Sequence, residues 1–155
     1  MEEYTIEEFD KYKTKVLKYI LYKKRTEQEI KTKFSKEIDE ILLEDIIEHL
    51  KENGYIDDEE YIKRALNEYI NINSYSIKEI QNKLHLKGLK TCLIEKYIDE
   101  YEEKLKEYEL KNAIKIVNKK KEKTIEEIQA FLYRKGYLSE SIRKAIEEVN
   151  FIDGW

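Results

Sequence analysis

Asp57-Asp58-Glu59-Glu60 is the densest run of groups in this sequence that could hold a divalent cation or act as paired carboxylates. Its spacing argues against both. The acids are contiguous, whereas an EF-hand loop alternates its ligands as Asp-x-Asp-x-Asp-Gly. Asp57 with Glu60 three residues on reads instead as a helix start, where the dipole favours negative charge. His49 and His85 are the two histidines, and neither has a second His or Cys three or four residues away, so no metal site is expected. Gly54, Gly88, Gly136 and Gly154 lie too far apart to form a phosphate-cradling loop. Cys92 falls on an expected apolar helix face and reads as a buried structural thiol. With no converging acid, base and nucleophile, the chain is not expected to be an enzyme or to carry a cofactor.

Two basic runs remain. Lys23-Lys24-Arg25 and Lys119-Lys120-Lys121 with Lys123 each stand just ahead of a Thr-x-x-Glu sequence. A corner that is basic twice suggests two related positive patches for phosphates or an acidic protein surface. A solvated corner between helices would have the same composition. Arg134 and Lys135 extend the second patch, although a helix C-terminus accounts for Lys135 alone. Tyr133 and Tyr137 flank the adjoining glycine and are expected as exposed contact residues.

These groups must be held by helices. Proline is absent, glycine occurs four times, and Lys, Glu, Leu and Ile dominate. SIKEIQNKLHLKG (76–88) and TIEEIQAFLYRKG (124–136) share seven of thirteen positions at a fixed offset of 48. TEQEIKTKF (26–34) is a weaker third copy. Each opens with Ser/Thr-x-x-Glu, a capping box in which the hydroxyl accepts from the N3 amide and the Glu reaches back to the N-cap amide. Apolar residues then follow on one stripe, such as Ile80 with Leu84 and Ile128 with Leu132. Gly88 and Gly136 supply left-handed stops for the later two copies, while the first has Glu37.

Further helical patterns flank each copy: 9–22 and 42–50, 59–72 and 92–101, 108–117 and 139–149. Ser139 is the expected cap of the last, and Asn150 its expected stop. Between Thr91 and Lys119 no breaker appears, so one long helix and a break near 102–106 both fit. The expected organisation is all-α, in three tandem three-helix, helix-turn-helix-like repeats: 1–56, 57–104 and 105–155. A 41 % hydrophobic content permits a core despite 41 % charged residues.

Charge is segregated. Residues 11–36 carry ten Lys or Arg against two Glu, and residues 37–62 carry one Lys against eleven Asp or Glu. The net charge of −4 disfavours a freestanding nucleic-acid binder. A lone cysteine, an acidic start and no long apolar run lead to the expectation of a cytoplasmic chain without a membrane span.

GYIDDEEYIKRAL (54–66) followed by SIKEIQNKLHLKGL (76–89) resembles the central signature of the RecX family of RecA regulators. KKRTEQEIKTKF (23–34) is similar to that family's basic-Arg-Ser/Thr-x-x-Glu-Leu entry, and FLYRKGYLSESIRKAI (131–146) to its Phe-Leu-x-Arg-Arg-Gly-Phe ending. The motif positions are Gly54, Asp57, Asp58, Tyr61, Ile80, Leu84, Gly88, Leu132 and Gly136, in structural roles. Three departures stand out: Glu37 replaces an expected Gly, Tyr75 replaces a common Gly, and Lys often replaces Arg, losing bidentate contacts. The resemblance implies a non-enzymatic protein, bent into an elongated crescent, that lies in the groove of the RecA filament on DNA. It would damp ATP hydrolysis, strand exchange and co-protease activity. Lys23, Lys24, Arg25, Lys119, Lys120, Lys121, Lys123, Arg134 and Lys135 are the candidate partner-binding residues. A monomer with weak DNA contact is expected. The alternative is a helix-turn-helix DNA binder, although the helix that would read bases carries Glu44, Asp45 and Glu48 in its first copy. Trp155 is a further candidate contact.

Overall fold

The computed structural model describes residues 4–72 and 75–153, with the side chains of 151–153 excepted; Trp155 lies outside them. The described residues form nine α-helices and no strand. In order these are α1 (Ile6–Tyr22), α2 (Glu27–Phe34), α3 (Glu40–Glu52), α4 (Asp58–Ile72), α5 (Ile77–Leu86), α6 (Thr91–Glu100), α7 (Glu102–Lys119), α8 (Ile125–Arg134) and α9 (Ser139–Asp153).

Caps fix the helix starts. Thr26 and Ser76 each complete the reciprocal capping box, with Glu29 and Glu79. Thr124 accepts from the Glu127 amide at 3.1 Å. Asp57 Oδ1 accepts from the Glu60 amide at 3.1 Å, so the acidic run does begin a helix. Ser139 is the first residue of α9 rather than its cap: the Ile142 amide bonds to the Leu138 carbonyl. Asn150 does not stop that helix, which runs on to Asp153.

Gly54 ends α3 at φ 77°, with Tyr55 N bonded to Leu50 O and Gly54 N to Lys51 O. Gly136 does the same for α8 at φ 91°, through Tyr137 N to Leu132 O. This double bond pattern is the Schellman motif, in which the residue after the glycine folds back over the last turn. Tyr137 is buried in the third core, not exposed as expected from its place beside the turn, whereas Tyr55 in the same motif is exposed. Between α6 and α7 the break falls at Tyr101 alone (φ −97°, ψ 12°), and the two helices are nearly continuous.

Apolar side chains collect in three cores. The first joins Val16 and Ile20 of α1 with Ile30 and Phe34 of α2, the inner face of α3, and Ile56. The second takes Ile62 and Leu66 of α4, Ile80 and Leu84 of α5, Ile94 and Tyr97 of α6, and also Leu105 and Tyr108 of α7. The third holds Ala113 and Val117 of α7, Ile128 and Leu132 of α8, and the inner face of α9. Each fully buried Ile or Leu contributes about 1.5–3 kcal/mol by leaving water. Cys92 is exposed, contrary to expectation. The buried positions of α6 are Ile94 and Tyr97, and Cys92 stands two residues before the first of them, about 200° round the helix.

Candidate functional site

The capping boxes are also joints. The Thr26 hydroxyl accepts from the Glu29 amide and donates to the Lys87 carbonyl at 2.6 Å. The Ser76 hydroxyl accepts from the Glu79 amide and donates to the Lys135 carbonyl at 2.7 Å. Both hydroxyls are fully buried, so each double use satisfies groups that water cannot reach. Thr124, the third copy, is exposed and only caps its own helix.

Glycine is required where the chains meet. A Cβ on Gly88 would overlap the Cβ and Cγ of Gln28, and one on Gly136 would stand 2.8 Å from the Cβ of Lys78. Gln28 and Lys78 occupy the same place in their capped helices. A Cβ on Gly54 would meet nothing within 4 Å, so that glycine serves its φ alone. The first copy carries Glu37 there, and its carboxylate pairs with Lys15 of α1.

A carboxylate completes each joint. Asp58 Oδ1 accepts from the Glu27 amide at 3.0 Å. Burial raises the Asp58 carboxyl above its ordinary range, against the lowering effect of that amide. Burial also pulls Glu27 upward, but hydrogen bonds from Lys51 and Lys31 outweigh it and hold the carboxyl low. At the second joint Glu109 takes this role and is fully buried. Its Oε2 accepts from the Ile77 amide at 2.9 Å and its Oε1 from the Leu138 amide at 2.6 Å. Tyr108 accepts from the Tyr75 amide, and Asn112 donates to the Tyr75 carbonyl. Tyr75, at a position where glycine was expected, stacks edge-on to Tyr69 and lies under the Lys83 ammonium. Sequence reasoning did not single out Glu109; the available signal was a cluster of polar positions, Glu109 and Asn112, interrupting an apolar stripe.

The basic residues divide between two settings. Lys23 and Lys24 line a cleft of about 380 Å³ opposite Tyr61, Arg64, Ala65, Glu68, Tyr69 and Lys87. Arg25 does not line it: its guanidinium lies 4.0 Å from the Tyr19 ring centroid, and its Nε is buried without a hydrogen bond. Lys119, Lys120 and Lys135 line a second hollow of about 470 Å³ with Lys115, Glu122 and Phe131. The Lys120 and Lys135 ammoniums both stand over the Phe131 ring, at 4.2 and 5.6 Å. Lys121, Lys123 and Arg134 are exposed nearby in the chain and do not line that hollow, as is Tyr133. The two settings differ: Lys23 and Lys24 face the turn lysine of the following helix group, whereas Lys119 and Lys120 face that of their own. Among the described residues no group of three His, Cys, Asp or Glu is placed to hold a metal ion, and no helix is long and apolar enough to cross a membrane.

No protein-family model matches the chain. Regulatory protein RecX of Staphylococcus carnosus is 33 % identical over 141 residues, covering 87 % of this chain and 52 % of that protein. Regulatory protein RecX of Finegoldia magna is 34 % identical over 120 residues, covering 63 % of this chain and 58 % of its own length. The chain thus spans little more than half the length of the curated relatives it matches. The crystal structure of RecX from Lactobacillus salivarius superposes with a TM-score of 0.82 over 95 % of this chain and 99 % of that one, at 24 % identity. A second crystal structure of regulatory protein RecX gives 0.76 over 90 % of this chain and 73 % of that one, at 23 % identity. Those two likenesses establish the all-helical fold. Sequence identity over most of the chain, carried on that fold, places it in the RecX family.

Proposed function

We propose that the chain is a non-enzymatic regulator that binds the RecA filament on DNA and damps its ATP hydrolysis, strand exchange and co-protease activity. Membership of a family whose relatives are named regulatory proteins supports this reading. The observation that carries it is the recurrence of one joint geometry, Thr26 to Lys87 and Ser76 to Lys135. Recurrent joints set similar helix groups at regular intervals, and a filament presents one surface at regular intervals. Linked weak contacts then gain effective concentration. The reading includes three units, 1–56, 57–104 and 105–155, stacked into an elongated crescent. It assigns the protein contact to the two basic hollows, with Lys121, Lys123 and Arg134 on the rim. It takes the protein as a cytoplasmic monomer.

The test mixes the protein with RecA–single-stranded DNA filaments and ATP and follows hydrolysis and co-sedimentation together. Co-sedimentation with loss of hydrolysis is the expected result. Lys23→Glu with Lys24→Glu, and Lys119→Glu with Lys120→Glu, should each weaken both. A protein that leaves the filament untouched yet shifts naked DNA with a steep salt dependence is a DNA binder instead.

A further inference from the structure

Three differences set the joint between α1–α3 and α4–α6 apart from the joint between α4–α6 and α7–α9. The covalent paths differ. Residues 53–57 form a turn around Gly54 at the first joint, whereas α6 runs almost directly into α7 across Tyr101 at the second. The cores differ. The second core draws Leu105 and Tyr108 from α7, while the first takes nothing from α4. The carboxylates differ. Glu109 is fully buried and holds two amides from two segments, whereas Asp58 is only half-buried and holds one. The first joint is therefore a thin polar seam: Thr26 to Lys87, Glu27 to Asp58, and a loose Lys87–Glu29 pair at 3.8 Å. Few apolar contacts and partly exposed polar bonds mark the segments that open most readily.

The cleft lined by Lys23 and Lys24 crosses this seam. One wall carries those two ammoniums, from the chain just after α1. The other carries Arg64 of α4 and Lys87 of the turn after α5. Among the described residues no carboxylate lies within ion-pair distance of Lys23, Lys24 or Arg64. Glu68 in the lining and Glu29 beside Lys87 offset two of the four charges, leaving a net positive cleft. Like charges on opposed walls repel, so an empty cleft favours the open seam. The floor suits a ligand too. Ala65 lies one helical turn from Tyr61 and from Tyr69, leaving a shallow slot between two rings. Burial pushes the Tyr61 hydroxyl up to about 12, so it stays a neutral donor at physiological pH.

We propose that the α1–α3 group is a hinged arm, and that a multivalent oxyanion of the phosphate class, held between Lys23–Lys24 and Arg64–Lys87, closes it on the rest of the molecule. Three lysines supply point charges and Arg64 a planar fork, a set that can engage several oxygens of one multivalent phosphate at once. The inference goes beyond filament binding and does not need it.

The test places spin-label pairs in a Cys92→Ser background, which removes the exposed native thiol. Glu44→Cys with Glu95→Cys reports the first joint, and Glu95→Cys with Glu148→Cys reports the second; all three sites are exposed. Distances are measured by double electron–electron resonance without ligand, with tripolyphosphate, with a single-stranded oligonucleotide, and with poly-glutamate. The expected result is a broad first-joint distribution that narrows and shortens with phosphate, beside a narrow second-joint distribution that does not move. Response to tripolyphosphate supports a free phosphate ligand, and response to the oligonucleotide alone supports a polymer backbone. In either case Lys23→Gln with Lys24→Gln should abolish the response. A first-joint distribution as narrow as the second overturns the inference. So does a phosphate response that survives the double variant, or a response to poly-glutamate alone.

Discussion

The Ser76 hydroxyl donates to the carbonyl of Lys135, 59 residues away, while accepting from the amide of Glu79. One buried oxygen thus caps its own helix and latches the next helix group onto it. Ser76→Ala leaves the part-buried Glu79 amide and Lys135 carbonyl without this partner, at up to about 1–3 kcal/mol for each group. Thr124→Ala removes only an exposed cap, at about 1 kcal/mol. Urea denaturation of the two variants should rank them in that order.

The glycines should separate in the same way. Gly54→Ala pays only for a left-handed residue, about 1–2 kcal/mol. Gly136→Ala adds a collision with Lys78, and Gly88→Ala one with Gln28. Both should lose more stability than Gly54→Ala. Gln28→Gly should recover part of the loss in the Gly88→Ala background and none in the Gly136→Ala background. Chemical denaturation of the four single and double variants reads this out as a coupling energy.

Removal of Glu109 should be the most damaging change at either joint. Glu109→Ala orphans the Ile77 and Leu138 amides together, each costing about 1–3 kcal/mol. Glu109→Gln keeps one acceptor oxygen and should fall between. Hydrogen exchange checks the mechanism. The Ile77 and Leu138 amides should speed up in Glu109→Ala while the Glu27 amide keeps its protection.

Asp58 makes the first joint sensitive to acid with a definite sign. Its carboxyl is raised from 3.8 in the folded chain, chiefly by burial. The folded state therefore holds the proton more tightly than the unfolded one, and the Asp58 contribution to stability falls as pH rises from 3.8 through its folded pKa. Glu27 runs the other way, giving stability above 4.5 that is lost as pH falls through its depressed value. Asp58→Asn keeps the acceptor for the Glu27 amide and removes the titration. The difference in stability between wild type and Asp58→Asn should shift toward the variant as pH rises from 3.8, and hold constant above the folded pKa.

Local signals were legible in the sequence because their physics is local. Capping boxes at Thr26 and Ser76, the Asp57 start and the Gly54 and Gly136 stops each need only a few neighbouring residues, and the helices sit where those signals place them. The second use of each box was hidden. The partner of Thr26 and Ser76 is a backbone carbonyl, which every residue carries, so no side-chain type advertises it. Gly88 and Gly136 could be read as helix stops, but the close approach of Gln28 and Lys78 is a long-range fact. A place beside a turn does not fix exposure: Tyr137 packs into the third core, while Tyr55, with the same Schellman bonds, stays exposed. Cys92 was misplaced by adjacency to Leu93 on an apolar stripe whose buried line begins at Ile94. The basic corners looked equivalent along the chain; in space Lys23 and Lys24 oppose another helix group, and Lys119 and Lys120 their own.

Glu37 and Thr124 stand apart from their counterparts in the other helix groups. The plug of each joint is a glycine turn, and the socket is a capping hydroxyl with its first helical turn. The α2 turn carries Glu37, already paired with Lys15, so the first group has no plug. Thr124 stands exposed and caps only its own helix. The two internal joints are thus directional: each hydroxyl socket receives the turn of the group that follows it in sequence, and the leading group offers no such turn in return.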